Sequence, residues 1–358
     1  MTVPTTQPET AGLATSTMRG ALVEPRGGVR LEGRPVPVPA HEQALVRTTL
    51  VGICGSDTHA LAGHHPFLTE VYAPGHEAVG VVEGLGGGTT GLEIGQRVLL
   101  KPNVACGTCL NCCADRSNAC EQLAWIGCDT SRRWTGAMAD SFVAPAANLF
   151  PVPDCVDDPT AVLVECLATP VHAVRIAGDL TGARVVVLGA GTIGVLGVVA
   201  ALRAGAHRVV VTDLDAGKLR RAVRVGAVAG VLASDADADV QVRSALDGPA
   251  DVVLDCVASE RSLAQAVRVV RRAGTVLVVG VPARPASLPM PLVQDWEIRV
   301  QGCAAYTETD VATALAIAVD GGIPTEEIIS GTYPLDDVTQ AFAAATDEAS
   351  GKVLVSPR

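Results

Sequence analysis

The stretch VVVLGAGTIG, residues 185–194, decides how the second half of the chain folds. Its apolar start predicts a buried strand, the glycines that follow predict a tight turn, and residues 192–205 have the composition of a helix. Three further apolar runs, RVVVTD, ADVVLDC and GTVLVVGV, follow at the spacing of βαβ units. We therefore predict a parallel, doubly wound sheet and an α/β fold class.

The same stretch has the spacing of a dinucleotide site, G-x-G-x-x-G directly after a strand and at the start of a helix. Such glycines let backbone N–H groups approach a pyrophosphate at the helix N-terminus. Asp213 ends the next strand, nineteen residues after the last glycine, where its carboxylate would accept the ribose 2′-OH and repel a 2′-phosphate. This favours NAD over NADP; a plain glycine-rich turn with a capping aspartate is the alternative. The candidate motif residues are Gly189, Gly191, Thr192, Ile193 and Gly194.

The first half of the chain has a different pattern of apolar residues. From Met18 to about residue 100, short β-type runs such as ALVRTTLVGI and EAVGVVEGL are separated by Gly and Pro, which predicts an all-β module. Residues 1–17 are rich in Thr, Pro and Ala and are predicted to be a disordered extension. Near the other end, DVATALAIAVDGG and GKVLVSP predict a helix and a strand that could close back onto this module.

The composition of the chain argues against two classes of binding partner. The 358 residues include 27 basic and 38 acidic ones, a net charge of −11, and no Lys/Arg run, so nucleic acid and membrane are not expected partners. Glycines interrupt the longest uncharged apolar stretch, residues 185–202, and the N-terminus lacks the pattern of a signal peptide. We expect a cytoplasmic protein, in which eleven cysteines point to metal ligation or buried thiols rather than disulfides.

A cysteine-rich segment, residues 101–122, carries the clearest metal signal. Its C-x2-C-x2-C-x7-C spacing lets one loop wrap four thiolates around a tetrahedral zinc ion, and such a closed shell is structural. An iron–sulfur cluster and a coincidental group of thiols are the alternatives. The predicted ligands are Cys106, Cys109, Cys112 and Cys120, whereas Cys128, Cys155, Cys256 and Cys303 are expected to be small buried hydrophobes.

A second candidate metal site lies upstream. Cys54, His76 and Glu77 come from segments more than twenty residues apart, between predicted strands. Ligands gathered from distant segments, and too few to close the shell, suit a catalytic metal that keeps an exchangeable position.

These motifs together resemble the zinc-dependent medium-chain dehydrogenase family, which includes alcohol, polyol and threonine dehydrogenases. The resemblance covers about residues 18–358 and rests on Cys54–Asp57 (C-G-S-D), Gly75–Glu77 (G-H-E), the four-cysteine segment and the glycine-rich turn. It implies a GroES-like β-barrel catalytic domain, residues 18–166 and 309–358, with a structural zinc lobe at 101–121. It also implies a Rossmann NAD-binding domain, residues 167–308, and an active site in the cleft between the two.

The resemblance also assigns site residues. Cys54 and His76 match catalytic zinc ligands, and Glu165 in LVECLATPVHAV matches the third, with Glu77 as a competing oxygen ligand. Asp57 matches an acid that orients the ring of His76. Ser56 and His59 match a proton relay from the alcohol to solvent, and Trp125 matches a position that often lines the pocket; for Trp125, plain packing is the alternative.

The implied activity is hydride transfer between NAD and a secondary alcohol, with two zinc ions per chain. Glu165 and the segment Cys54–His59 favour a polyol, cyclitol, aminocyclitol or hydroxy amino acid as substrate. A biosynthetic ketone reductase of the same family and a catalytically idle zinc-binding relative are the alternatives. The family further implies a homodimer or homotetramer.

Overall fold

The computed structural model describes residues 17–130, 134–347 and 351–357. The predicted disordered extension therefore lies outside the described residues, apart from Thr17, which begins the first strand.

The strands of the described chain, numbered in order, are the following: β1 Thr17–Glu24, β2 Gly28–Pro35, β3 Gln43–Gly52, β4 Glu77–Leu85, β5 Arg97–Leu100, β6 Asn103–Val104, β7 Ala124–Trp125, β8 Ser141–Pro145, β9 Leu149–Pro151, β10 Arg184–Leu188, β11 Arg208–Asp213, β12 Ala229–Leu232, β13 Ala250–Asp255, β14 Val270–Val278, β15 Arg299–Gly302, β16 Ile329–Pro334 and β17 Lys352–Ser356.

The α-helices are α1 Gly55–Leu61, α2 Leu110–Cys113, α3 Asp158–Ala177, α4 Thr192–Arg203, α5 Ala216–Arg224, α6 Ala238–Leu246, α7 Glu260–Val269, α8 Met290–Asp295, α9 Glu308–Val319, α10 Thr325–Ile328 and α11 Val338–Thr346. Short 3-10 turns lie at Ser117–Ala119, Ala146–Asn148 and Leu335–Asp337.

The second half of the chain forms the predicted parallel sheet. Its six strands lie in the order β12-β11-β10-β13-β14-β15, and every neighbouring pair is parallel. This is the strand order of a doubly wound nucleotide-binding sheet. The chain adds strands on one side of β10 as far as β12 and then on the other side from β13, so the strand order reverses between β10 and β13. The carboxyl ends of those two strands therefore open a crevice, and the glycine-rich turn after β10 lies at its edge.

The first half and the C-terminal end share the other large sheet, in the order β16-β17-β3-β4-β5-β9, with β8 also paired to β3. All its pairs are antiparallel except β16 with β17. The predicted closure of the C-terminal strand onto the first module is thus confirmed. Because β3 and β4 are antiparallel with Gly52 opposite Glu77, the residues just after β3 and just before β4 meet at one edge.

Helix α3 joins the two halves. It packs against α4 and α9 on one side and against β3 and β4 on the other. One buried core cluster consequently runs from Leu50 and Val79 of the antiparallel sheet, through α3, to Val185 and Val187 of the parallel sheet. By length and composition α3 could cross a membrane, but 72% of its apolar window is buried inside the fold, as in a core helix.

The predicted domain limits can be placed on these elements. The limit at residues 166 and 167 falls inside α3, and the limit at 308 and 309 falls at the first residue of α9. The predicted zinc lobe, residues 101–121, lies around the short ribbon of β6 and β7. The division into a barrel domain and a nucleotide-binding domain stays a prediction.

Candidate active site

The strand pairing of β3 and β4 assembles the first group of candidate ligands. Cys54 directly precedes α1, and His76 directly precedes β4. The ligand atoms of Cys54, His76 and Glu77 all lie within 4.8 Å of one another. Residues that are more than twenty positions apart in sequence are therefore neighbours because of one antiparallel register.

Glu165, on α3, lies next to this group. Its carboxylate is buried and lies within 4.8 Å of Glu77 and Cys166, so Glu77 links it to Cys54 and His76. The hydroxyl of Tyr306 donates a hydrogen bond to Glu165 Oε1. Burial and the neighbouring Glu77 carboxylate raise the pKa of Glu165 to about 7. The structure thus brings the third predicted ligand to the edge of the cluster.

Glu77 is held by a cation that the sequence analysis missed. Lys352 Nζ lies 2.6 Å and 2.7 Å from the two carboxylate oxygens of Glu77, and it also donates to the carbonyl of Ile53 at 3.1 Å. Both side chains are buried. Burial opposes ionisation of Glu77, but Lys352 lowers the pKa of its carboxyl below the usual value. In sequence, Lys352 is one lysine at the start of an apolar strand, which carries no signal of this role.

The two predicted relay residues lie on α1 beside the cluster. The Ser56 hydroxyl oxygen is buried and has no hydrogen-bond partner in the described part of the chain. A buried hydroxyl without a partner is costly, so such a group is expected to meet a ligand or a water. His59, on the same helix, is exposed to solvent.

His76 has a close neighbour on its other side. Cys128 Sγ lies 3.1 Å from His76 Nδ1, so Cys128 is a polar contact of a candidate ligand rather than the small buried hydrophobe that was expected. Asp57, expected to orient the His76 ring, has an oxygen within 4.8 Å of it. The hydrogen bonds of its carboxylate, however, come from Tyr72 Oη at 2.8 Å and from the backbone N–H of Cys54 at 3.1 Å.

Two aromatic side chains, Trp125 and Tyr306, line the cluster that contains His76. Trp125 meets His76 edge to face at a centroid distance of 6.5 Å, and it meets Tyr306 in the same way at 6.4 Å. Its indole Nε1 is buried without a hydrogen-bond partner among the described residues. Trp125 therefore lines the cluster, and its unpaired N–H is available to a polar ligand.

The four-cysteine segment forms a second, separate cluster. The four Sγ atoms all lie within 4.8 Å of one another, with separations of 3.5 Å between Cys109 and Cys112 and 4.0 Å between Cys109 and Cys120. A tetrahedron of sulfurs around zinc has edges of about 3.8 Å, which follows from Zn–S bonds of about 2.3 Å. Backbone N–H groups of Thr108 and Cys109 lower the pKa of Cys106 to about 6, which favours the thiolate form that binds metal.

Cys113 does not join this cluster. It is exposed, and its thiol donates to the carbonyl of Thr108 at 3.6 Å.

The glycine-rich turn has the geometry that a pyrophosphate requires. Gly189 has φ +94°, which favours glycine, and a Cβ on Gly194 would lie only 1.8 Å from the carbonyl oxygen of Gly189. A Cβ on Gly191 would point into open space just before α4, and Thr192 and Ile193 form the first positions of that helix. Asp213 Oδ2 accepts a hydrogen bond from the N–H of Ala190 at 2.6 Å, so the Asp213 carboxylate lies beside this turn.

The parallel nucleotide-binding sheet is joined by α3 to a sheet whose edge holds one group of candidate metal ligands, and a four-cysteine group lies on the loop between β6 and β7. This combination defines a class: a metal-containing, nucleotide-dependent oxidoreductase. Family profiles agree with this assignment. An alcohol dehydrogenase GroES-like domain matches residues 40–154, and a zinc-binding dehydrogenase domain matches residues 192–320.

Individual relatives match along most of their length. L-galactonate-5-dehydrogenase of Escherichia coli K12 is 31% identical over 86% of this chain and 89% of its own. L-threonine 3-dehydrogenase of Chromobacterium violaceum is 29% identical over 92% of this chain and 97% of its own. A structure described as a zinc-binding dehydrogenase from Sinorhizobium meliloti 1021, bound to NADP, is 30% identical with a TM-score of 0.88, covering 96% of this chain and 100% of that one.

The chain belongs to the zinc-dependent medium-chain dehydrogenase family. The predicted fold class, a GroES-like catalytic part with a Rossmann sheet, is confirmed. The protein is a zinc-dependent oxidoreductase that interconverts a secondary alcohol and a ketone, with NAD or NADP as the hydride carrier. Its partner is a small-molecule alcohol.

The buried pair of Lys352 and Glu77 yields a stability prediction. Lys352→Met leaves the Glu77 carboxylate buried without its cation, so we expect the free energy of unfolding in urea to fall by about 3 kcal/mol. Adding Glu77→Gln should recover part of that loss. The exposed pair of Arg224 and Glu327, joined at 2.7 Å, is the control, and Arg224→Met should change little. Equal losses in the double and single Lys352 variants would contradict the pairing.

Proposed function

We propose that this chain is an NAD-dependent dehydrogenase that binds its catalytic zinc through Cys54, His76 and Glu165 and oxidises a polar secondary alcohol. The observation that supports this most is the buried Ser56 hydroxyl, which has no partner among the described residues and lies two positions after Cys54. An alcohol bound at the cluster would place its own hydroxyl group next to the Ser56 hydroxyl, as its hydrogen-bond partner. Polyols, cyclitols, aminocyclitols and hydroxy amino acids are the proposed substrate class, and relatives acting on L-galactonate and L-threonine support it.

The donor chemistry fits zinc. One thiolate, one carboxylate and a neutral imidazole balance the charge of the ion and leave a position open for substrate. Zinc, when bound, supplies Lewis acidity that lowers the pKa of a coordinated hydroxyl group. Glu165 fits the third ligand better than Glu77 does, because both oxygens of Glu77 are paired with Lys352.

The residues around the cluster have different proposed roles in the reaction. The Ser56 hydroxyl would accept the proton of the substrate alcohol as it gives up its own, and the exposed His59 would deliver a proton to solvent. Trp125 and Tyr306 wall the site and exclude water, which strengthens the electrostatic interactions inside it. A nicotinamide cofactor bound at the crevice of the parallel sheet would accept the hydride from the carbon that bears the substrate's hydroxyl group.

The four-cysteine cluster is proposed to bind a second, structural zinc, which gives two zinc ions per chain. Its ligands fill all four tetrahedral positions, so substrate has no access to the metal. Its proposed role is to hold the loop between β6 and β7, which leads into β7 and so positions Trp125 beside the catalytic cluster.

NAD is proposed as the cofactor because of Asp213. Its carboxylate ends β11 beside the glycine-rich turn, where it would accept the 2′-OH of the adenosine ribose and repel a 2′-phosphate. The similar structure from Sinorhizobium meliloti is bound to NADP, so this choice depends on residues and not on the family.

A cytoplasmic homodimer or homotetramer is the proposed form. Strand β15 pairs only with β14 among the described residues, which leaves its outer edge available to a second copy. A single species of 36.6 kDa in sedimentation at micromolar concentration would contradict an oligomer.

The activity is tested by NADH formation, followed by absorbance, across secondary alcohols, polyols, cyclitols, aminocyclitols, sugar acids and 3-hydroxy amino acids. We expect one class to react and Cys54→Ala to abolish the signal. A class that reacts equally well with the Cys54→Ala protein would contradict the proposed site. No reaction with any class, together with one zinc ion per chain in the purified protein, would support the idle relative.

The two clusters should respond differently to loss of a sulfur. Cys109→Ser should lower the midpoint of thermal unfolding, because it removes a ligand from a closed structural site. The folded protein that remains should still transfer hydride. Cys54→Ala should lower kcat/KM by more than about a hundredfold with little change in the unfolding midpoint. Equal losses of stability in the two variants would contradict the division into structural and catalytic metal.

Cofactor choice should follow the charge at Asp213. Asp213→Ser combined with Leu214→Arg removes an acceptor of the ribose 2′-OH and adds a cation near it. A charged hydrogen bond contributes about 1.5–3 kcal/mol, so the ratio of kcat/KM for NADP over NAD should rise about 10- to 100-fold. Leu214→Arg alone, at an exposed position, is the matched control. An unchanged ratio in the double variant would show that Asp213 does not contact the ribose.

A further inference from the structure

Cys128 lies beside the catalytic cluster without belonging to either set of proposed ligands. Its Sγ is 3.1 Å from His76 Nδ1, within hydrogen-bond distance, and a cysteine sulfur can accept a hydrogen bond. Since an imidazole binds a metal through one nitrogen, the other nitrogen needs a partner that sets the tautomer and the ring orientation.

The backbone holds Cys128 in this position. Gly127 has φ +80°, and a Cβ on it would lie 2.2 Å from the carbonyl oxygen of Gly75 and 2.8 Å from the backbone nitrogen of His76. The turn that carries Cys128 is therefore pressed directly against the backbone that carries His76. In addition, the N–H of Cys128 donates to the carbonyl of Trp125 at 3.1 Å, which closes the turn. The backbone of Cys128 is therefore fixed close to that of His76, which places the sulfur within reach of the ring.

Asp57, the other candidate partner of His76, accepts hydrogen bonds from two other groups. Asp57 is fully buried, and its two carboxylate oxygens accept separate hydrogen bonds, one from Tyr72 Oη and one from the N–H of Cys54. These bonds tie Asp57 to the start of α1, where Cys54 stands. Asp57 thus orients the segment of Cys54. An oxygen of Asp57, a nitrogen of His76 and the sulfur of Cys128 lie within 4.8 Å of one another, but among the described residues the hydrogen-bond contact of Nδ1 is with the sulfur.

We propose that Cys128 is the positioning residue of His76: its sulfur accepts the Nδ1–H and so keeps the lone pair of Nε2 directed at the catalytic metal. This inference rests on the proposed role of His76 as a zinc ligand. A neutral imidazole carries one N–H, so a hydrogen bond from Nδ1 to sulfur leaves Nε2 free to bind. Bonding in the opposite sense, from the thiol to Nδ1, would place the ring hydrogen on Nε2 and block the metal.

The test measures zinc affinity of the catalytic site in the full-length protein, by titration of the metal-loaded enzyme with a zinc-buffering chelator. Cys128→Val removes the acceptor and leaves an apolar side chain that is slightly larger than cysteine, so affinity should fall about tenfold, the lower end of what loss of such a partner costs. Cys128→Ser keeps an acceptor, and its affinity should stay close to that of the unmodified protein. In the cobalt-substituted protein, the visible absorption bands should change in Cys128→Val and not in Cys128→Ser.

Two controls separate orientation of His76 from general effects on the fold. Cys303→Ala removes another buried thiol, outside the two clusters, and should leave zinc affinity unchanged. Asp57→Asn keeps the shape of the acid and should lower zinc affinity less than Cys128→Val does. If Cys128→Val fails to fold, Cys128→Ala is measured in its place, since it removes the acceptor without adding bulk.

Three results would overturn the inference: equal zinc affinity in Cys128→Val and the unmodified protein, equal losses in the Val and Ser variants, or a tenfold loss in Asp57→Asn with none in Cys128→Val. Absence of zinc at this site in the unmodified protein would instead contradict the proposed function. The two failures are thereby distinguished.

Discussion

The structure of the candidate active site depends on the antiparallel pairing of β3 with β4. With Gly52 opposite Glu77, the chain delivers Cys54 and His76 to the same sheet edge, although twenty-one residues separate them. The buried ion pair between Glu77 and Lys352 ties this edge to β17, the last strand. A shift of this register by one residue would turn the candidate ligands to the other face of the sheet.

Helix α3 fixes this sheet edge, with its candidate metal ligands, relative to the nucleotide-binding sheet. It belongs to the core that connects the two sheets, and it carries Glu165 to the cluster. One helix therefore sets the distance between the metal ligands and the glycine-rich turn after β10. The proposed chemistry needs this arrangement, because hydride transfer requires the alcohol carbon and the nicotinamide ring to be in contact.

Motifs that act within one local segment could be predicted from the sequence. The glycine-rich turn and the four-cysteine loop depend on spacing alone, and the structure assembles both. Lys352 and Cys128 could not be predicted, because their roles come from contacts made across the fold: Lys352 meets Glu77 through strand pairing, and Cys128 meets His76 through a close approach of two backbones. Neither contact leaves a periodic or spaced pattern in the sequence, and only the resemblance to a family could identify Glu165 in an apolar helix.

The most direct test of the account is anomalous diffraction at the zinc absorption edge, measured on crystals of the protein as purified. The account predicts two peaks per chain, one inside the four-cysteine cluster and one between Cys54, His76 and Glu165. A peak at the four-cysteine cluster alone, in a protein that nonetheless oxidises a secondary alcohol, would contradict the claim that these three residues hold the metal of the active site.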